Sequence, residues 1–257
     1  MSSKEVRDRA IAKALRSHGR SLTSWARWRA SDSNFSGHDA NAFLVGVMFD
    51  RTVPWQRAWD AGAWLCTSIG DPNDVAAVWA TLSKMDRTRL RGFLRYGYGG
   101  QAFHRHYKTF ARLLPLAARH LLDLYGGDPR RIWNNQHDVN KVRDRLDEIP
   151  TIGPGLSRMA VLILARDYGR LGGKKAKRRL EPKPDVHVRR VFQRAGLVES
   201  GASGQAIIDV ARSLAPDFPA VLDAPAWDIG RKWCRPTRPE CPSCSLRSVC
   251  RKKGVKR

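Results

Sequence analysis

The stretch LDEIPTIGPGLSRMAVLILARDYG, residues 146–169, decides the fold, because its Pro/Gly-rich middle interrupts two runs of apolar residues at helical spacing. Such spacing predicts two amphipathic helices joined by a tight turn. Gly153 and Gly155 permit positive φ and let the backbone approach something outside, and the next helix, with Ser157 in its first turn, begins with free N–H groups aimed the same way. The arrangement suits one DNA phosphate, which makes Gly153, Gly155 and Ser157 candidate DNA contacts. The same pattern is also that of an ordinary αα-hairpin.

Outward from the hairpin, helical spacing recurs from end to end, and no segment shows a convincing period-two alternation. The expected class is all-α. Asp39 is positioned to cap a short, nearly all-apolar helix over AFLVGVMF, the centre of a core. Pro54 suits the first turn of PWQRAWDAGAWLCTSI, which Gly70 ends, and Asp74 suits the cap of DVAAVWATLSK. Further helices are predicted near 86–96, 104–125 and 139–148, and others starting at Asp185, Ser203 and Pro225. GGKKAKRRLEPKP, residues 172–184, reads as a basic surface loop, either a solvated linker or a phosphate-contacting segment.

The charge narrows the partners. There are 47 Lys and Arg against 24 Asp and Glu in 257 residues, a formal net charge of +23, and a surface this positive attracts polyanions, nucleic-acid phosphate above all. No apolar run approaches the roughly 18 residues of a spanning helix, so no membrane role is expected. MSSKEVRDRAIAKALRS carries charges throughout and does not read as a secretory signal. The expectation is an intracellular monomer, cytoplasmic and nucleoid-associated, of bacterial or archaeal type.

In a reducing compartment, five cysteines argue for metal binding or burial rather than disulfides. Cys66 sits among Trp59, Trp64 and Leu65 and is read as core. Cys234, Cys241, Cys244 and Cys250 fall within 17 residues, with gaps of six, two and five, in WCRPTRPECPSCSLRSVC. Four thiolates so close can surround one metal centre, and their spacing admits both zinc and iron-sulfur. In PDVHVRRVFQRAG, Asp185 opens a helix beside Arg189, Arg190 and Arg194. It can serve as an N-cap, and a carboxylate held at a helix N-terminus can also stabilise a cationic sugar.

Taken together, these segments resemble the helix-hairpin-helix DNA glycosylases with a C-terminal iron-sulfur cluster, the endonuclease III and adenine glycosylase group. IPTIGPG is similar to that family's hairpin, PDVHVRRVFQRAG to the segment of its catalytic aspartate, and the cysteine spacing to its [4Fe-4S] loop; WDIGRKWC resembles the approach to the first cysteine. The resemblance is strongest over 146–250. GVMFDRT, residues 46–52, is similar to the family segment whose polar side chains wedge into DNA. The resemblance implies a six-helix barrel domain over 32–167, inserted into a cluster domain of 1–31 plus 168–257 whose loop spans 234–250, with DNA gripped in the cleft between. It implies a [4Fe-4S] cluster on the four cysteines, Asp185 as the catalytic carboxylate, and double-stranded DNA with a damaged or modified base as substrate. Arg51, flanked by Asp50 and Thr52, is the candidate wedge, or else part of a structured turn. Lys232, Arg235, Arg238, Arg189 and the tail RKKGVKR are candidate phosphate contacts.

Two departures refine the expectation. Bifunctional members carry a hairpin lysine where this chain has Gly155, so the resemblance points to a monofunctional glycosylase that leaves an abasic site. Lys174, Lys175 or Lys183 would have to replace that lysine, and a flexible loop holds a nucleophile poorly. The glutamate of adenine glycosylases aligns with Gly46, which argues against adenine excision. The alternatives are a bifunctional glycosylase with abasic-site lyase activity and, in another class, a non-catalytic iron-sulfur DNA-binding protein. The excised base stays open, from alkylated purines to modified bases of foreign DNA, and so does the choice between repair and defence against phage. Trp55, Tyr96, Tyr98, His104 and His106 are candidates for a base pocket, or for barrel core and surface loop.

Overall fold

The computed structural model describes residues 2–22, 36–136, 138–171 and 173–255. The boundary expected at 31–32, Gly172 of the basic stretch, and Lys256 and Arg257 of the tail lie outside the described residues. The fold is all-α, with two isolated bridges and no strand among the described residues. The chain divides into two compact units, Ala26–Leu171 and a second made of Met1–Trp25 with Gly172–Arg257.

Helix α1 (Ser3–Arg20) belongs to the second unit. The first unit is built around α2 (Gly37–Phe49), which buries residues on every side, as an apolar helix must. Its N-cap is Ser36 rather than Asp39: Asp39 N–H donates to Ser36 Oγ at 3.1 Å while the Asp39 carboxylate accepts from Ser36 N–H at 3.1 Å, closing a capping box. Helix α3 (Trp55–Ile69) crosses α2 at a glycine pair, where a Cβ on Gly62 would stand 2.7 Å from Gly46 N. A Cβ on Gly46 would stand 2.5 Å from the Trp59 ring, so position 46 has no room for a glutamate. Cys66 is buried as core, which pushes its thiol up to about 12.

A turn at Asp74, whose carboxylate accepts from Ala76 N–H at 2.8 Å, delays α4 to Ala77–Lys84. Then come α5 (Arg87–Tyr96), α6 (Tyr107–Tyr125) and α7 (Arg130–Trp133). Helix α6 starts three residues later than expected, because the His104 ring takes the His106 N–H at 3.0 Å and holds those residues in a loop. Helices α8 (Val139–Asp147) and α9 (Pro154–Arg166) are the two arms of the hairpin.

Besides α1, the second unit holds α10 (Lys174–Arg179), α11 (Val186–Ala195), α12 (Gly204–Leu214) and α13 (Asp223–Lys232), with α1 packed on α12 and α13 and α11 on α13. Ile11, Leu15, Val188, Phe192, Ile207, Ile229 and Leu246 form its core, and Cys234, Cys244 and Cys250 lean on the same cluster. The basic stretch expected as a loop is instead a short helix followed by an anchored strap. Ala176 and Leu180 are buried, and Leu180 C=O accepts from Ala220 N–H at 3.1 Å. One further polar chain ties α1 to α13: His18 Nε2 lies 2.8 Å from Asp228, which Lys232 also reaches at 3.1 Å, and Ser245 Oγ lies 3.0 Å from His18 Nδ1.

Candidate nucleic-acid interface and metal centre

In the hairpin, Gly153 is the N-cap of α9 with φ −120°, and Pro154 fills its first position. The expected positive φ falls on Thr151, at 95°, rather than on either glycine. A buried, β-branched residue in that region is strained, which marks the turn as a shape that its surroundings enforce. Part of that enforcement is Arg51, whose guanidinium donates to the Thr151 carbonyl. Burial also draws the Arg51 guanidinium below its ordinary pKa. The neighbouring Thr52 pairs with His106 at 2.9 Å, and buried His104 reaches the Phe49 carbonyl at 3.0 Å. The turn after α2 is thereby tied to the hairpin on one side and to the loop before α6 on the other.

The two glycines leave the face of the hairpin open. A Cβ on Gly153 or Gly155 would meet nothing within 4 Å, and no described group accepts from their N–H groups. Those amides are available to an anion at the start of a 13-residue helix. The hydroxyl of Ser157 is not: its residue is buried and the hydroxyl donates to Pro154 C=O at 3.3 Å.

Asp185 is the N-cap of α11, half-buried, and its Oδ1 accepts from His187 N–H at 2.8 Å and Val188 N–H at 2.9 Å. Its Oδ2 accepts nothing from the described residues. The cap and an available oxygen are therefore properties of the same side chain. Beneath it, Gly230 of α13 lies against His187, where a Cβ would stand 2.8 Å from His187 Cβ. That contact explains the glycine in WDIGRKWC.

Two arginines whose role the sequence does not reveal link α11 to the cysteine loop. Arg190 donates to the carbonyls of Cys234 at 2.5 Å and Gly230 at 2.8 Å. Arg194 donates to the Arg235 and Pro236 carbonyls at 2.6 and 2.9 Å and lies 3.6 Å from Cys234 Sγ. Their spacing of four along α11 puts both on one face, which was the available signal. Cys234, Cys241, Cys244 and Cys250 line a single hollow with Arg194, Trp233 and Arg247. Leu246 N–H donates to Cys244 Sγ at 3.5 Å and Lys252 N–H to Cys250 Sγ at 3.4 Å. Burial, with the neighbouring sulfurs, pushes the Cys244 and Cys250 thiols up. Among the described residues, no group of three His, Cys, Asp or Glu is arranged to hold a metal ion.

The expected phosphate contacts separate into two sets. Arg235 and Arg238 stand exposed on the cysteine loop, and Lys232 is exposed while paired with Asp228. Arg189 instead donates to the Ala202 carbonyl. Of the pocket candidates, His104 is core, Tyr96 is surface, and Tyr98 packs edge-on to Trp64 with ring centroids 5.3 Å apart.

The all-α fold of the chain is the one found in solved DNA glycosylases. The chain is similar to endonuclease III trapped as a covalent intermediate with DNA, at 16% identity and TM-score 0.66, over 98% of this chain and 97% of that one. It is similar to a non-covalent endonuclease III–DNA complex at 17% identity and TM-score 0.66 (98% and 96%), and to a thermostable thymine-DNA glycosylase at 14% and 0.64 (97% of each). No protein-family model matches the chain, and no curated protein matches it by sequence.

Proposed function

We propose that this chain is a monofunctional DNA glycosylase, which takes a damaged or modified base out of the duplex and hydrolyses its N-glycosidic bond to leave an abasic site. The observation that carries the reading is Asp185. Two backbone amides of α11 hold one carboxylate oxygen and leave the other uncommitted, so the group is oriented without being spent. A carboxylate so held stabilises the positive charge that develops on the sugar as the base departs with the bonding pair. It also orients the water that forms the new bond to the sugar carbon and accepts its proton. The open amides at Gly153 and Gly155 support a phosphate grip, and Gly155 brings no amine to the hairpin.

In this reading the four thiols are the ligands of an iron-sulfur cluster, a role supported by their spacing and their common hollow rather than by a metal-ready arrangement of the sulfurs. Cys234, Cys241, Cys244 and Cys250 would hold it in their common hollow, where N–H groups already point at two of the sulfurs. When bound, a [4Fe-4S] centre supplies positive charge that stabilises thiolates which burial alone disfavours. Its part in this reading is to shape a basic loop carrying Arg235 and Arg238.

The test is base release from a panel of duplexes with alkylated, oxidised, mismatched and hypermodified bases, the freed base being identified by mass spectrometry. Asp185→Asn should abolish release and keep most of the DNA affinity. Normal release by that variant would end the assignment. Strand cutting without alkali, trapped by borohydride, would mean a lyase instead, and indifference of every activity to Asp185 would mean a binding protein.

A further inference from the structure

The basic stretch between the hairpin helices and Asp185 has no part in the hydrolysis itself, yet it is firmly built. Lys174, Lys175, Lys177, Arg178 and Arg179 are all exposed on α10. Only Ala176 and the adjoining Leu180 turn inward. A six-residue helix of like charges does not form unaided, since nucleation is unfavourable and neighbouring cations repel. The strap between α10 and α11 holds it in place. Buried Glu181 pairs with Arg212, Pro182 is buried, Lys183 N–H donates to Asp223 at 2.6 Å, and Asp185 N–H donates to Lys183 C=O at 2.7 Å. The exposed charge is thus concentrated and then anchored, at a cost in self-repulsion that a polyanion would relieve.

We propose that α10 is a second DNA grip, which binds the phosphate backbone of the duplex beside the nucleotide whose base is released at Asp185. This rests on the glycosylase reading. The six-residue step from Arg179 to Asp185 reaches at most about 20 Å, or about six base pairs, which sets how far along the duplex the grip acts. Arg178 meets Asp217 at 3.1 Å through an exposed pair that DNA can displace, whereas the lysines offer point charges along one edge of the backbone.

The experiment compares the full chain with a triple variant, Lys174→Ala, Lys175→Ala and Lys177→Ala, binding a long unmodified duplex over a range of salt concentrations. The slope of log affinity against log salt should fall by about two to three, since each phosphate contact contributes about 0.9. The matching Lys→Arg triple should keep the slope. Trimming the duplex inside about six base pairs on one side of an abasic site should weaken the parent and leave the Ala triple unmoved. An unchanged slope would overturn the grip, as would a loss of affinity confined to single-stranded RNA. A lower base-release rate at saturating DNA with the slope intact would also overturn it and would place a lysine in the chemistry. If the parent chain released no base from any duplex while the triple variant still lost its slope, the grip would stand and the glycosylase reading would fall.

Discussion

At the scale of single residues, the hairpin turn and the segment that supports it depend on groups in unusual states. Thr151 takes the strained conformation while the adjacent glycines stay ordinary, and Arg51 holds its carbonyl. Next to them, burial lowers the pKa of His104 from 6.5 to about 4. The folded state therefore favours neutral His104. Its contribution to stability is complete above pH 6.5 and is lost as the pH falls from there towards 4. The full loss is on the order of 3 kcal/mol at about 1.4 kcal/mol for each pH unit. Urea unfolding of the parent and of His104→Gln between about pH 7 and pH 4 checks this, since the variant should show the shallower pH dependence. Parallel curves would count against His104 as the source.

At the scale of elements, α11 joins the proposed catalytic aspartate to the cysteine loop. Asp185 caps its start, and Arg190 and Arg194 reach the first cysteine from its middle and end. Helix α13 presses on the first turn at Gly230. Gly230→Ala should therefore push His187 and displace Asp185 without touching DNA. A displacement near about 1 Å costs about a hundredfold in rate. Single-turnover base release should fall by about that factor at saturating DNA, with Kd within about twofold of the parent, as a purely positional defect requires. A weaker Kd at an unchanged rate would show that Gly230 serves DNA binding instead.

At the scale of the whole molecule, the cysteine loop packs against the same core that supports α1 and α11, so loss of the proposed cluster should reach beyond the loop itself. Purified aerobically or under argon, the chain should be yellow-brown, with iron and sulfide in equal amounts. Replacing Cys241 by Ser should remove the colour, lower the unfolding temperature and cut the salt slope of DNA binding by about two, as Arg235 and Arg238 lose their placement. A colourless protein carrying zinc, with an unchanged slope in the Ser variant, would rule out the cluster and its part in DNA binding.

The sequence by itself determined the features that depend on local pattern. Helical periodicity made the chain all-α, the Pro/Gly turn located the hairpin, the gaps of six, two and five marked the cysteines as a set, and Asp185 stood at the head of a helix. Only the tertiary structure decided where side chains pointed. Ser157 and Arg189 turned inward, Arg51 held the hairpin, Gly46 and Gly230 proved to be contact points, and a stretch that read as a loop became an anchored helix. The physical reason is range. Periodicity and capping act over a few residues, whereas the bonds that redirected these side chains join positions such as Arg190 and Cys234, or Arg51 and Thr151, that meet only after the helices pack.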